Sequence, residues 1–125
     1  VDYSNIPGCT YTHPEVASVG YTEKAAIEAG LTIKTGKFPF TASGKANSSG
    51  FRDGFIKVIF EADSGKWLGA HFIGENVTEM IAEVVVARNM GATAHDILTA
   101  VHPHPTMSEA VMEAVAAAYG EVIHI

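Results

Sequence analysis

His104 and Glu109 are the two residues of this chain whose types and spacing could do chemistry together. They stand in the run His102-Pro103-His104-Pro105-Thr106-Met107-Ser108-Glu109. Each proline fixes its own φ and restricts the residue before it, so His104 is held between two stiff points. An imidazole positioned in this way can serve as a general acid or base near neutral pH. A carboxylate accepting one ring proton would fix the tautomer and raise the basicity of the ring, leaving the other nitrogen for a substrate. The same residues admit other readings. Thr106 and Glu109 have capping-box spacing, in which the carboxylate bonds the backbone at a helix start instead. One carboxylate can hardly do both in one conformation. His102 and His104 form a His-x-His pair, but no HExxH motif or second His/Cys pair supports it, and no metal site is expected.

The rest of the chain bounds what such a base could serve. With 125 residues it has the size of one domain, and residues 1–125 read as a single unit. Apolar residues make up 47% of the sequence, enough for one core without disulfide staples. A formal charge of −6 argues against nucleic acid, which selects a basic stripe. No apolar run approaches the roughly 20 residues that span a bilayer. The N-terminus, Val1-Asp2-Tyr3, shows neither a signal peptide nor a starting Met, so the chain reads as cut from something longer. Cys9 stands alone, which excludes an internal disulfide and a Cys-pair redox centre, and a reducing, cytoplasmic setting is the expectation. There is no Gly-x-Gly-x-x-Gly fingerprint and no P-loop. Any cofactor that works with His104 must be held by other residues or another chain.

The elements that must position the pair follow from pattern. Ile6 to Thr12 reads as a short strand. Thr12 and Glu15 have capping-box spacing, so a helical turn is expected after them. Thr22 looks like the N-cap of a helix reaching Ala29 and ended by Gly30. Leu31 to Phe40 is extended, with Pro39 marking an edge or strand end. Residues 42–52 are rich in Gly, Ser and Asn and read as a loop. Phe55 to Phe60 is apolar on nearly both faces and suits a central strand. Asp63-Ser64-Gly65-Lys66 is turn chemistry, and Trp67 to Ile73 returns as the hairpin partner. Lys57 and Lys66 read as solvated charges. The second half is helical: a capping pattern at Asn76 and Glu79 precedes a helix closed by Gly91, Thr93 to Thr99 is a short helix, and Thr106 to Tyr119 is the last. The fold class expected is α+β, an antiparallel sheet covered by helices. The last helix is apolar nearly all round, which predicts cover from a partner surface, most simply a two-fold copy.

The pattern H-P-H-P-T-M-S-E resembles the C-terminal interface (dimerisation) domain of the dihydrolipoamide dehydrogenase family of flavoprotein disulfide reductases. Four further stretches carry the same resemblance in the same order: I-P-G-C-T-Y-T-H-P-E-V-A-S-V-G from Ile6, G-K-F-P-F from Gly36, D-G-F-I-K-V from Asp53 and L-G-A-H-F-I-G from Leu68. The resemblance implies that His104 is the acid–base residue and that Glu109 holds its imidazole. It implies a cis bond between His104 and Pro105, whose backbone would touch the flavin of the opposite subunit. It further implies an obligatory homodimer, FAD and NAD bound by domains absent from this chain, and lipoyl groups of 2-oxo acid dehydrogenase complexes as partners. The fragment alone is expected to be inactive and to hold no cofactor. Two alternatives stand beside this one: a domain of a glutathione-reductase-like enzyme, and a dimerisation module with no catalytic duty.

Overall fold

A computed structural model describes residues 6–11, 14–39, 54–74, 77–99 and 109–120, with the backbone alone for Glu109. Five strands form one antiparallel sheet: β1 (Gly8–Thr10), β2 (Glu15–Gly20), β3 (Ile33–Pro39), β4 (Phe55–Glu61) and β5 (Trp67–Gly74), in the order β1-β2-β5-β4-β3. The helices are α1 (Glu23–Glu28), α2 (Val77–Asn89), α3 (Ala94–Thr99) and α4 (Glu109–Ala118). This is the α+β architecture that the sequence predicts. β4 is internal, as its run of apolar residues on nearly both faces requires, and Ile56, Val58, Ile59 and Phe60 are all fully buried. β3 lies at the edge and ends at Pro39, where a missing backbone donor costs no ladder bond to a further strand. The β4–β5 turn closes with Gly65 at φ 73, and the Ser64 hydroxyl both accepts from the Lys66 amide at 3.1 Å and donates to Glu61 at 2.5 Å.

Two expectations for local structure are corrected. Residues 15–20 form β2 and not a helical turn. In β2 alternate side chains face the core, with Ala17 and Val19 buried, and pairing with both β1 and β5 overrides the weak local cap signal. Glu15 caps a different helix: its Oε1 accepts from the Thr78 amide at 3.2 Å and from the Thr78 hydroxyl at 2.8 Å, in the first turn of α2. An acidic group at a helix N-terminus satisfies an orphan donor and complements the macrodipole. Thr12 and Asn76, the caps read from sequence, lie outside the described residues, as does the loop at 42–52. Lys57, read as a solvated charge, pairs with Glu23 of α1 with both side chains partly exposed, a contact worth little on its own.

The starts of α1 and α3 follow the sequence. Thr22 accepts the Ala25 amide at 3.0 Å, and Gly30 turns the chain at φ 81 after α1. α2 lays Val77, Met80, Ile81 and Val84 on the sheet. α3 opens with a reciprocal box: the Asp96 carboxylate accepts from the Thr93 amide at 2.8 Å and from its hydroxyl at 3.2 Å, while the Asp96 amide donates to the Thr93 hydroxyl at 3.4 Å. These bonds, the backbone one first, hold the Asp96 carboxyl below the ordinary aspartate range. A depressed carboxylate stabilises the fold fully above its unfolded pKa, about 3.9, and loses that contribution as pH falls through the lower native value. NMR titration of Asp96 is expected to give a midpoint below the ordinary aspartate value. A midpoint at or above it would remove this cap.

The main core lies between one face of the sheet and α2, α3 and α4. Trp67 anchors it, stacked on Phe60 at 5.2 Å, with its Nε1 donating to the Gly69 carbonyl at 3.1 Å. A smaller cluster of Ala26, Ile59 and Leu68 lies beneath α1 on the other face. Here the third correction arises. The apolar girth of the last helix predicts cover from a partner surface, yet every residue from Ala110 to Ala116 is already buried within the single chain. The helix is narrow because half of its residues are alanine, so one small domain suffices to enclose it. Its apolarity is therefore no argument for a dimer.

Candidate functional site

The structure places one member of the predicted pair and not the other. His104 and Pro105 lie outside the described residues, with His102 and Thr106 beside them, so the cis expectation and the choice between cap and base partner fall there too. The backbone of Glu109 is the first residue of α4. What the fold defines is the platform that carries Glu109.

That platform is set by small residues. α4 lies on β3 and β4 with α3 beside it. The approach to β3 is very close: a Cβ built on Gly36 would stand 2.0 Å from the Ala114 carbonyl oxygen and 2.5 Å from the Ala118 amide nitrogen. A glycine on the strand and alanines on the helix let the two backbones nearly touch, which fixes the height of α4 above the sheet. At the far end Tyr119 meets Phe60 edge-on at 5.9 Å, and the Lys34 ammonium lies 4.6 Å from the centre of the Tyr119 ring. The Tyr119 hydroxyl is buried and has no hydrogen-bond partner among the described residues, and burial raises its pKa. The helix is thus gripped along its length, and its first residue inherits a defined position.

Glu113 is a functional candidate that sequence reasoning passed over. It is 1% exposed, the one charged side chain in the buried set of the described residues. The 3.6-residue repeat puts it on the same helix face as Glu109, one turn further along. Two glutamates four apart in an otherwise apolar helix are the signal that the sequence offers, and the burial of Glu113 itself comes from packing.

Other histidines and grooves lie elsewhere. The His71 Nε2 is 2.9 Å from the Tyr21 carbonyl, and His95 is exposed at a cleft of about 300 Å³ between the β4–β5 turn, α3 and Tyr119. A second groove of about 500 Å³ is lined by Tyr21, Leu68, Lys66 and Arg88, whose Nε donates to the Trp67 carbonyl at 3.0 Å. His13 and His124 lie outside the described residues. Among the described residues no helix is long and apolar enough to cross a membrane.

Comparison with known proteins supplies the context that this geometry lacks. Residues 6–115 match the family described as pyridine nucleotide-disulphide oxidoreductase, dimerisation domain. A dihydrolipoyl dehydrogenase of Zymomonas mobilis is 54% identical over 120 residues, covering 96% of this chain and 26% of that protein. A mitochondrial dihydrolipoyl dehydrogenase of Caenorhabditis elegans is 46% identical over 119 residues, covering 95% of this chain and 24% of its own length. In solved structures, the HOCl-induced flavoprotein disulfide reductase RclA from Escherichia coli superposes with a TM-score of 0.87 at 27% identity, covering 92% of this chain and 26% of that one. The chain thus spans about a quarter of the length of the relatives it matches.

Proposed function

Because this chain belongs to the pyridine nucleotide-disulphide oxidoreductase dimerisation-domain family, we propose that it is the C-terminal domain of a longer dihydrolipoyl dehydrogenase. In this reading it supplies His104 and Glu109 as the acid–base pair for oxidation of dihydrolipoamide in a homodimer. The observation that carries the reading is 54% identity across 96% of the chain to a dihydrolipoyl dehydrogenase. The placement of Glu109 at the head of a firmly seated helix supports it.

The chemistry assigned to this chain is proton transfer. Free thiols have pKa values near ~8.5 and are mostly protonated at neutral pH. His104 takes the proton from one thiol of dihydrolipoamide. The resulting thiolate attacks one sulfur of a disulfide carried by residues beyond this chain. A new S–S bond forms, the old one breaks, and the departing sulfur leaves as thiolate. The imidazolium left on His104 stabilises that thiolate, and Glu109 stabilises the imidazolium and holds the ring in place. FAD and NAD supply the onward redox chemistry in the full-length protein. This chain has no dinucleotide-binding turn of its own, and its contribution to the flavin is backbone contact from His104 and Pro105 to the partner subunit's site. Lipoyl groups of 2-oxo acid dehydrogenase complexes are the substrates proposed.

The test is an assay of the full-length protein with two substrates, dihydrolipoamide with NAD and glutathione disulfide with NADPH. Turnover is expected with the first pair and only background with the second. The reverse pattern would assign the domain to a glutathione-type reductase. Background with both would leave a dimerisation module and overturn the proposal.

A further inference from the structure

We propose that the outward row Ala82, Val86 and Met90 of α2 is the two-fold contact with a second copy of this chain. This rests on the homodimer reading above. The family is a dimerisation domain, and α4 cannot supply the contact because its apolar residues are already enclosed within one chain. α2 is built differently. Val77, Met80, Ile81 and Val84 are buried, whereas Val86 is 62% and Met90 81% exposed. Ala82 is exposed with them. The Met90 amide donates to the Val86 carbonyl at 3.0 Å, so helical spacing continues through Met90. Steps of four keep 82, 86 and 90 on one face, away from the sheet. The outer face of a surface helix is ordinarily polar. Among the described residues, this is the one helix with two exposed large apolar side chains a turn apart.

The row is complementary to itself. In a two-fold contact, if residue i touches j of the other copy, j touches i in return. With the axis beside Val86 and the helices antiparallel, Val86 meets Val86. The small Ala82 of each copy then lies opposite the long, adaptable Met90 of the other. The polar border also matches. Glu83 falls opposite Asn89, whose amide can donate to a carboxylate, whereas parallel helices would set Glu83 against Glu83. Antiparallel helices further bring the positive end of one macrodipole beside the negative end of the other. The row is the apolar centre of such an interface, and neighbouring elements supply the polar rim that completes the usual ~800 Å² per copy.

The experiment is sedimentation of the full-length holoprotein. Val86→Glu puts two like charges at the axis and is expected to raise the dimer Kd by about a hundredfold or more, giving monomer at micromolar concentration. Glutamate is a good helix former at an exposed position, so the monomer should keep its helix content. An equimolar mixture of Val86→Glu and Val86→Lys should re-form a dimer, because the axis then pairs opposite charges. Ile27→Glu, at a 60% exposed position on α1, should remain dimeric. A Val86→Glu protein that stays dimeric, a mixture that stays monomeric, or dissociation by Ile27→Glu would each overturn the inference. If Val86→Glu does not fold, Met90→Glu decides: a monomer supports the contact and a dimer removes it. Failure of the homodimer reading is distinguishable, because the unsubstituted protein would then itself sediment as a monomer.

Discussion

His104→Gln in the full-length protein is expected to lower dihydrolipoamide turnover by about 10²–10⁴-fold, the usual contribution of a positioned general base. The reason is thiol chemistry. At neutral pH only a small fraction of a thiol with pKa near ~8.5 is thiolate, and the thiolate is the species that attacks a disulfide. Glutamine has the length of the imidazole and can hydrogen-bond, but it cannot accept a proton. The loss should fall on kcat and shrink as pH approaches the thiol pKa, because hydroxide then does the work of the base. Glu109→Gln should cost less, since it leaves the imidazole present but unsupported. Stability, dimerisation and flavin content should be unchanged for His104→Gln, whose side chain is assigned to a reaction centre and not to the core. Turnover within about threefold of wild type would reject His104 as the base.

Gly36→Ala is expected to be strongly destabilising, because it drives a methyl into the backbone of α4. The new Cβ would stand 2.0 Å from the Ala114 carbonyl oxygen, 2.5 Å from the Ala118 nitrogen and 2.9 Å from the Ala118 Cα. All three are backbone atoms, so no rotamer change relieves the overlap. Either α4 lifts from the sheet or β3 bends away. Overpacking ordinarily costs about 1–3 kcal/mol, and a clash with backbone belongs at or above the upper end. A fall in Tm of about 10 °C or more is the expected reading for a domain of this size. Gly8→Ala is the matched control, because a Cβ on β1, at the opposite edge of the sheet, meets only the Ser18 hydroxyl at an ordinary 3.6 Å. That change should be close to neutral. In the full-length protein Gly36→Ala should also depress turnover, because the lifted helix carries Glu109 with it. Equal stability of the two variants would mean that α4 does not lie on β3 as described.

Much of the fold is legible in the residues. The apolar run Phe55 to Phe60 gives an internal strand, Pro39 an edge, Thr22 and Gly30 the two ends of a helix, and the Asp63–Lys66 turn a hairpin. These signals are local, so the chain displays them without reference to distant partners. The failures share one cause. Glu15 reads with its sequence neighbours as a helix start, but it lies in a strand and caps a helix 63 positions away. Lys57 reads as solvated, but the fold brings Glu23 to it. The Thr93–Asp96 box is visible in its spacing. In the candidate site the identity of His104 and Glu109 came from motif and resemblance, whereas the burial of Glu113 could come only from packing.

The residue types and order alone determined the α+β class and most of the strand and helix sequence, because capping, turn chemistry and hydrophobic period act over a few residues. Tertiary structure alone decided that a helix apolar on all sides is enclosed by its own chain, that Gly36 sets its height, and that a carboxyl is buried one turn beyond Glu109. Those outcomes depend on how closely two backbones can approach and on which surfaces that approach removes from water, and no period in the sequence encodes either distance.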